Sequence, residues 1–386
     1  MSHIKDNAEL ESDCSYVGIN EQEDTNNMKT IAYQPKKQHG KSVMLSIIAG
    51  VWYAFANFFI GEKANLGFLT VFVSCLGTLI FGLAIILYRV VIKCKKNEAI
   101  WTWEESYFRH PKGGLNKFNT AIIVSYTAYN MLIRIILVFC FNFALVADIN
   151  QGILTTLFGL TAFFSAWAAY FLFNERLKIA HIIGMILMLF CIAGIGFGSS
   201  SKNSTSEAIE EELDDTLSTV PIQSTSSSRQ IVYTFLSILF AILCAIGFCT
   251  GGMIVKISHK GPKQKSDHDY TFKTVNGTDI YIISNAICNI FYIALTIVIY
   301  QVGSHPFYGL EYMQIASVGI IGSLGVVFMN RALILGYSGP VFALCNTQVI
   351  IQTILNVIFL GQVPSIIEII AAIIGIIGSC IIALFS

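Results

Sequence analysis

An arginine in the middle of an apolar run has the most chemistry to offer in this sequence. Arg134 sits near the centre of the run 119–145, where insertion scales charge about 2.5–3.5 kcal/mol for the cation. Snorkelling is least effective at that depth, so Arg134 implies a water-filled cavity or a buried partner. Tyr126, Asn130, Arg134 and Asn142 recur near helical spacing and share a broad face. Gln348, Gln352 and Asn356 advance by four along 340–359, with Asn346 just ahead. Asn285, Asn289 and Tyr292 follow i, i+4, i+7 along 279–301, and the run 43–60 offers Asn57 with Trp52 and Tyr53. Amides supply both donors and acceptors to a polar solute, and they equally serve as glue between helices. Arg134 likewise is either a group touching substrate or gate, or a structural arginine held by carbonyls and amides. Arg331, near the end of 311–335, is a further candidate, although an arginine there can reach the interface. Polar faces on five separate runs favour one shared cavity over five unrelated glue points.

Arg134 has no evident carboxylate partner inside the runs: Asp148 and Glu175 fall at breaks, and Glu368 near the start of 366–385. An unpaired guanidinium suits an anionic or carbonyl-bearing solute through charge and multiple hydrogen bonds. No central Asp, Glu or His offers proton coupling, and no His–Asp or paired-Glu cluster shares one depth. The sequence therefore predicts no enzyme and no catalytic residues. Nothing in it calls for a cofactor or a metal. Eight of the ten cysteines lie inside apolar runs, where a thiol behaves as a small hydrophobe. None forms a close CxxC pair, which argues against zinc and against a disulfide framework.

These residues must be positioned by membrane-crossing helices. The chain has 386 residues, 54% hydrophobic and 12% charged, with a mean hydropathy of +0.66. A soluble protein carries about twice that charged fraction. Apolar runs recur at the length of about 20 residues that crosses a bilayer. A net charge of zero argues against nucleic acid, which would need a basic face, so the expected partners are the lipid bilayer and a small-molecule metabolite.

The runs lie at about 43–60, 67–91, 119–145, 151–173, 178–197, 231–256, 279–301, 311–335, 340–359 and 366–385. They fall into two similar halves. Asn142-Phe143-Ala144-Leu145-Val146 lies over Asn330-Arg331-Ala332-Leu333-Ile334, and Phe173-Asn174-Glu175 over Leu360-Gly361-Gln362. The fold expected is an all-α integral membrane protein with ten transmembrane helices as a 5+5 inverted repeat. Residues 1–41 read as a disordered cytoplasmic tail and 42–197 as the first five-helix repeat. Residues 198–229 read as an acidic, Ser/Thr-rich linker and 230–386 as the second repeat. The basic segment 93–118, with Trp101, Trp103, Tyr107 and Phe108, reads as a short interfacial helix. Small residues Ala371, Gly375 and Ser379 mark a packing seam within the bundle or a homodimer interface, and Gly319, Gly322 and Gly325 a second seam.

Lys and Arg set the expected orientation. With a cytoplasmic N-terminus the inner loops hold the seven from Arg89 to Lys117, Arg176 and Lys178, and the four lysines of 257–278. The outer loops hold Lys63, Lys202 and Arg229. Both termini are then cytoplasmic in a multi-pass protein, of the plasma membrane or an endomembrane.

The long third run, the short turn after it, and Glu175-Arg176-Leu177 closing the fourth run resemble the EamA-type transporters of the drug/metabolite transporter superfamily. Asn174 stands in the usual glycine place of their Gly-Glu-Arg-Leu-like motif. Ser338-Gly339-Pro340 resembles the small-residue–Pro element opening their ninth helix, while Gly361-Gln362 keeps the second motif's glycine and replaces its acid by an amide. The resemblance implies alternating access around a central cavity, in carriers, exchangers or exporters of small polar or anionic metabolites. A channel, or a membrane scaffold or receptor without transport, is the alternative.

Overall fold

The computed structural model describes residues 36–62, 68–100, 106–109, 114–146, 157–175, 177–191, 193–194, 226–260, 275–303, 309–360 and 366–385. Among them the regular structure is helical, apart from one isolated antiparallel bridge between Arg109 and Leu115. The helices are α1 (Lys36–Glu62), α2 (Phe68–Lys95), α3 (Lys117–Val146), α4 (Thr161–Phe173), α5 (Ile179–Cys191), α6 (Ser226–Lys260), α7 (Gly277–Gly303), α8 (Gly309–Leu335), α9 (Ser338–Cys345), α10 (Thr347–Leu360) and α11 (Ile366–Phe385). Helices close their backbone hydrogen bonds within the segment, as hydrocarbon surroundings demand. Large apolar side chains face outward from most of them: Leu87, Phe171, Ile179 and Ile366 are each more than 60% exposed. A belt of that extent is sustained by lipid, not water. The chain is a multi-pass, largely helical membrane protein.

The expected count of ten spans does not hold. Among the described residues seven stretches are long and apolar enough to cross a membrane: Gly40–Ile60, Phe72–Lys95, Lys117–Ala144, Val232–His259, Gly277–Val298, Gly309–Leu335 and Ser338–Phe359. Thr161–Phe173, Ile179–Cys191 and Ile369–Ile382 are apolar but shorter. At ~1.5 Å rise per residue, the 13 residues of α4 reach about 20 Å, short of the roughly 30 Å of hydrocarbon. An apolar run contributes to a span only where it is helical. The run 151–173 carries a turn at Gly159–Leu160, and α4 starts only at Thr161.

The expected interfacial helix is also absent where it is described, since Tyr107 and Phe108 form a turn. Trp101, Trp103, Asp148, Gln362, most of the 1–41 tail and most of the 198–229 linker lie outside the described residues. The linker's last residues, from Ser226, already belong to α6.

Lys36–Ser386 forms a single contact unit. Within it α1 packs along α8, α3 along α6, α2 against α7 and α8, and α4 against α9. In the repeat register α1 corresponds to α6 and α3 to α8. Swapping the halves therefore exchanges the first two contacts, an inverted-repeat-like pattern. α2 and α8 approach at paired glycines: a Cβ on Gly77 would overlap the Ala316 carbonyl, and one on Gly319 the Ser74 carbonyl. The seam of Ala371 and Gly375 is filled by Gly194 and Cys191, from the same chain, on and just after α5.

Candidate functional site

A cavity of about 260 Å³ lies between helices of both halves. α3 contributes Tyr126, Tyr129, Asn130 and Arg134; α1 contributes Tyr53 and Asn57; α8 contributes Ser323; Asn346 and Gln348 close it from the α9–α10 junction. Arg134 is the charged side chain among its described lining residues. Its Nη2 donates to Asn285 Oδ1 at 2.9 Å and its Nη1 to Cys75 Sγ, while the guanidinium lies 5.7 Å from the centre of the Tyr292 ring. That distance suits a cation–π contact. Tyr292 is pinned in turn by donating to the Met131 carbonyl at 2.6 Å. Tyr281 lines the cavity with its hydroxyl donating to Ser323 Oγ at 2.9 Å. These neutral hydrogen bonds orient the arginine without cancelling its charge.

The ten sequence candidates separate. Arg134, Asn130, Tyr126, Asn57 and Gln348 line the cavity. Asn57 Nδ2 and Gln348 Oε1 are 3.4 Å apart across it, a long hydrogen bond that a solute could replace. Asn285 stands behind Arg134 as its acceptor. Gln352 and Asn289 are buried away from the lining; Gln352 Oε1 and both amide atoms of Asn289 have no hydrogen-bond partner among the described residues. Arg331 is exposed on α8 and does not line the cavity. Asn356 lies on α10, and its side chain is outside the described ones. Tyr129, Tyr281 and Ser323 were not legible as a set, because aromatic and hydroxyl residues are common in apolar helices and carry no depth signal.

One end of the bundle is closed by polar contacts across the halves. α4 ends on Asn174 in the left-handed region (φ 54°, ψ 34°), with the Glu175 N–H returning to the Ala169 carbonyl at 3.3 Å. This is the conformation that favours glycine and that asparagine tolerates. The reversal aims Glu175 at the start of α9, where its Oε2 accepts the Ser338 N–H at 3.2 Å. A carboxylate suits the positive end of a helix. Glu175 also pairs with Lys256 of α6, both side chains being more than 90% buried. Lys256 Nζ donates further to the Gly336 carbonyl and Ser338 Oγ, each at 3.0 Å. At the same end Asp279 of α7 accepts from Arg89 and from Tyr107, and Ser42 Oγ of α1 donates to the Ala332 carbonyl of α8 at 2.9 Å. The available signal for the lock was a lysine closing an apolar run, at the end of 231–256. It could be read only alongside Glu175, far away in sequence.

No protein-family model matches the sequence, and no curated protein does. Solved structures do. One, titled "Crystal structure of protein", superposes with a TM-score of 0.55 at 15% identity, covering 89% of this chain and 96% of that chain. At that identity the likeness shows the fold alone. Fold and site together define a multi-pass helical membrane protein with a largely apolar cavity, bearing one arginine and several amides and hydroxyls, between two halves in inverted-repeat-like contact.

Proposed function

We propose that this protein is an EamA-like carrier of the drug/metabolite transporter superfamily, moving a small polar or anionic metabolite by alternating access, as exchanger, exporter or facilitator. The observation that carries this reading is Arg134, a cation facing a cavity built from both halves, with neutral hydrogen-bond partners among the described residues. A structural arginine would be expected to end in a full set of acceptors. The Asn-Glu-Arg-Leu and Ser-Gly-Pro elements support the family assignment, because they meet at one contact between Glu175 and Ser338. In this reading that cluster is the closed gate, and its opening exposes the cavity on the other side. The function assigned is transport rather than catalysis.

Uptake and counterflow by the purified protein in liposomes, against a broad metabolite panel, tests the proposal. Accumulation driven by a preloaded solute is expected, and lost in Arg134→Ala. Absence of counterflow across the panel would turn the reading toward a scaffold or receptor. The proposed orientation follows the Lys and Arg distribution and puts the four lysines of 257–278 on the cytoplasmic side. Asn276, the exposed first residue of the sequon Asn276-Gly277-Thr278, should then carry no glycan in a eukaryotic host, and glycan there would invert the topology.

A further inference from the structure

The cavity has an unbalanced set of hydrogen-bonding groups, and this narrows the charge of what it holds. A guanidinium has five N–H donors, and Arg134 directs two of them to Asn285 and Cys75. One helical turn earlier Asn130, 7% exposed, lines the same cavity, and its Nδ2 has no acceptor among the described residues. A buried N–H pair without an acceptor is unfavourable unless a ligand or water supplies one. Asn130 and Arg134 are thus two adjacent donor groups on one face of α3, both open to an acceptor from the cavity.

The rest of the wall restricts that acceptor further. No Asp or Glu is among the described lining residues to compete for the guanidinium, and no second Lys or Arg is there to balance a second negative charge. The remaining polar groups are hydroxyls and amides, with aromatic rings from Tyr53, Phe141, Phe158 and Phe342 between them. A volume near 260 Å³ is below the usual range for drug-sized ligands.

We infer that the cavity binds a small organic acid with a single ionised carboxylate, whose two oxygens are held by Arg134 and Asn130. This rests on the cavity being the substrate site, and it fixes the charge class that the transport reading leaves open. A planar carboxylate accepts two parallel N–H bonds from an arginine and keeps free lone pairs, one of which can take the Asn130 amide N–H. The apolar part of the acid lies against the rings. A dianion would bring one charge into the cavity uncompensated, and a cationic solute would meet Arg134 with no acid to offset it.

The test is equilibrium binding to the purified full-length protein in detergent, by calorimetry. The probes are 4-methylpentanoate, its neutral amide, its amine analogue and the dianion glutarate. The acid is expected to bind at least about tenfold more tightly than the amide or glutarate, with no binding of the amine. Arg134→Gln should weaken the acid by at least about tenfold and the amide by clearly less. Arg134→Lys, which keeps the charge but not the fork, should recover part of the loss. Where Arg134→Gln fails to fold, Asn130→Asp serves: the new carboxylate should abolish acid binding while the amide still binds. Equal affinity for acid and amide, no binding of the acid, or acid binding unaffected by Asn130→Asp would overturn the inference. Carboxylate binding without counterflow of any solute would sink the transport reading while leaving this one standing. Counterflow confined to neutral or cationic solutes would do the reverse.

Discussion

Asn346 donates its side-chain amide to the carbonyl of Gly159 at 3.0 Å, and the two residues are repeat equivalents. In the register that lays Phe173 over Leu360, Gly159 falls on Asn346. Each marks an interruption of its run: a turn ahead of α4 in one half, and the junction of α9 and α10 in the other. The Gly159 carbonyl also accepts the Ala162 N–H at 3.2 Å, and the Asn346 carbonyl the Val349 N–H at 3.0 Å, so neither break leaves its carbonyl without a donor in an apolar environment. Asn346 and the adjacent residues Phe158 and Thr161 line the cavity. Two interrupted apolar runs, one from each half, thus meet at the site.

The buried lock should behave as a coupled pair. Removing one partner leaves a charge buried alone, at a cost of about 3–5 kcal/mol, whereas removing both is often neutral. Glu175→Gln and Lys256→Met are each expected to destabilise the detergent-solubilised protein by that order, and the double variant to recover most of it. Thermal unfolding of the four proteins makes the cycle. Additive losses would show that the two residues act independently.

The α2–α8 crossing should tolerate no side chain. Gly77→Ala places its Cβ on the Ala316 carbonyl oxygen, and overpacking against backbone costs about 3 kcal/mol or more. Gly82→Ala, one to two turns along the same helix, meets only Ile282 Cγ2, at 3.5 Å. Size-exclusion profiles should show loss of monodisperse protein for the first variant and the parent profile for the second.

Asn285 and Asn289 are one turn apart on α7, yet their substitutions should diverge. Asn289 is fully buried with both amide atoms unpartnered among the described residues. Asn289→Leu is therefore expected to be neutral or to raise stability by about 1 kcal/mol. Asn285→Leu withdraws an acceptor from Arg134 and should impair counterflow. Equal effects of the two on transport would argue against a positioning role for Asn285.

Tyr107, in the segment between α2 and α3, contributes a pH-dependent contact. Burial first, and then the neighbouring Asp279 carboxylate, push its hydroxyl well above the ordinary value near 10. The folded state therefore holds this proton more tightly than the unfolded chain does. The stability it contributes is full below about pH 10 and is lost as pH rises toward the folded value. The stability difference between the parent and Tyr107→Phe should be constant up to about pH 10 and shrink above it. A difference that grows with alkalinity would reverse the sign.

Membrane character, the helical class, the similarity of the two halves in sequence and the place of Arg134 within an apolar helix were legible in the sequence. They depend on composition, periodicity and the cost of a charge in hydrocarbon, all properties of a run by itself. Tyr126, Asn130 and Arg134 reach one cavity because helical spacing puts them on one face. Gln348 and Gln352 also share a face, yet only Gln348 lines the cavity; the break at Asn346 and the neighbouring helices decide how far that face is reached. Hydropathy counted ten runs because it registers apolar residues whether or not they are helical, and the turn at Gly159–Leu160 leaves α4 too short. Lys256 and Glu175 illustrate the remaining limit. Each alone is an unfavourable charge near the end of an apolar run, and only the packing of α4, α6 and α9 turns the two into a closed contact.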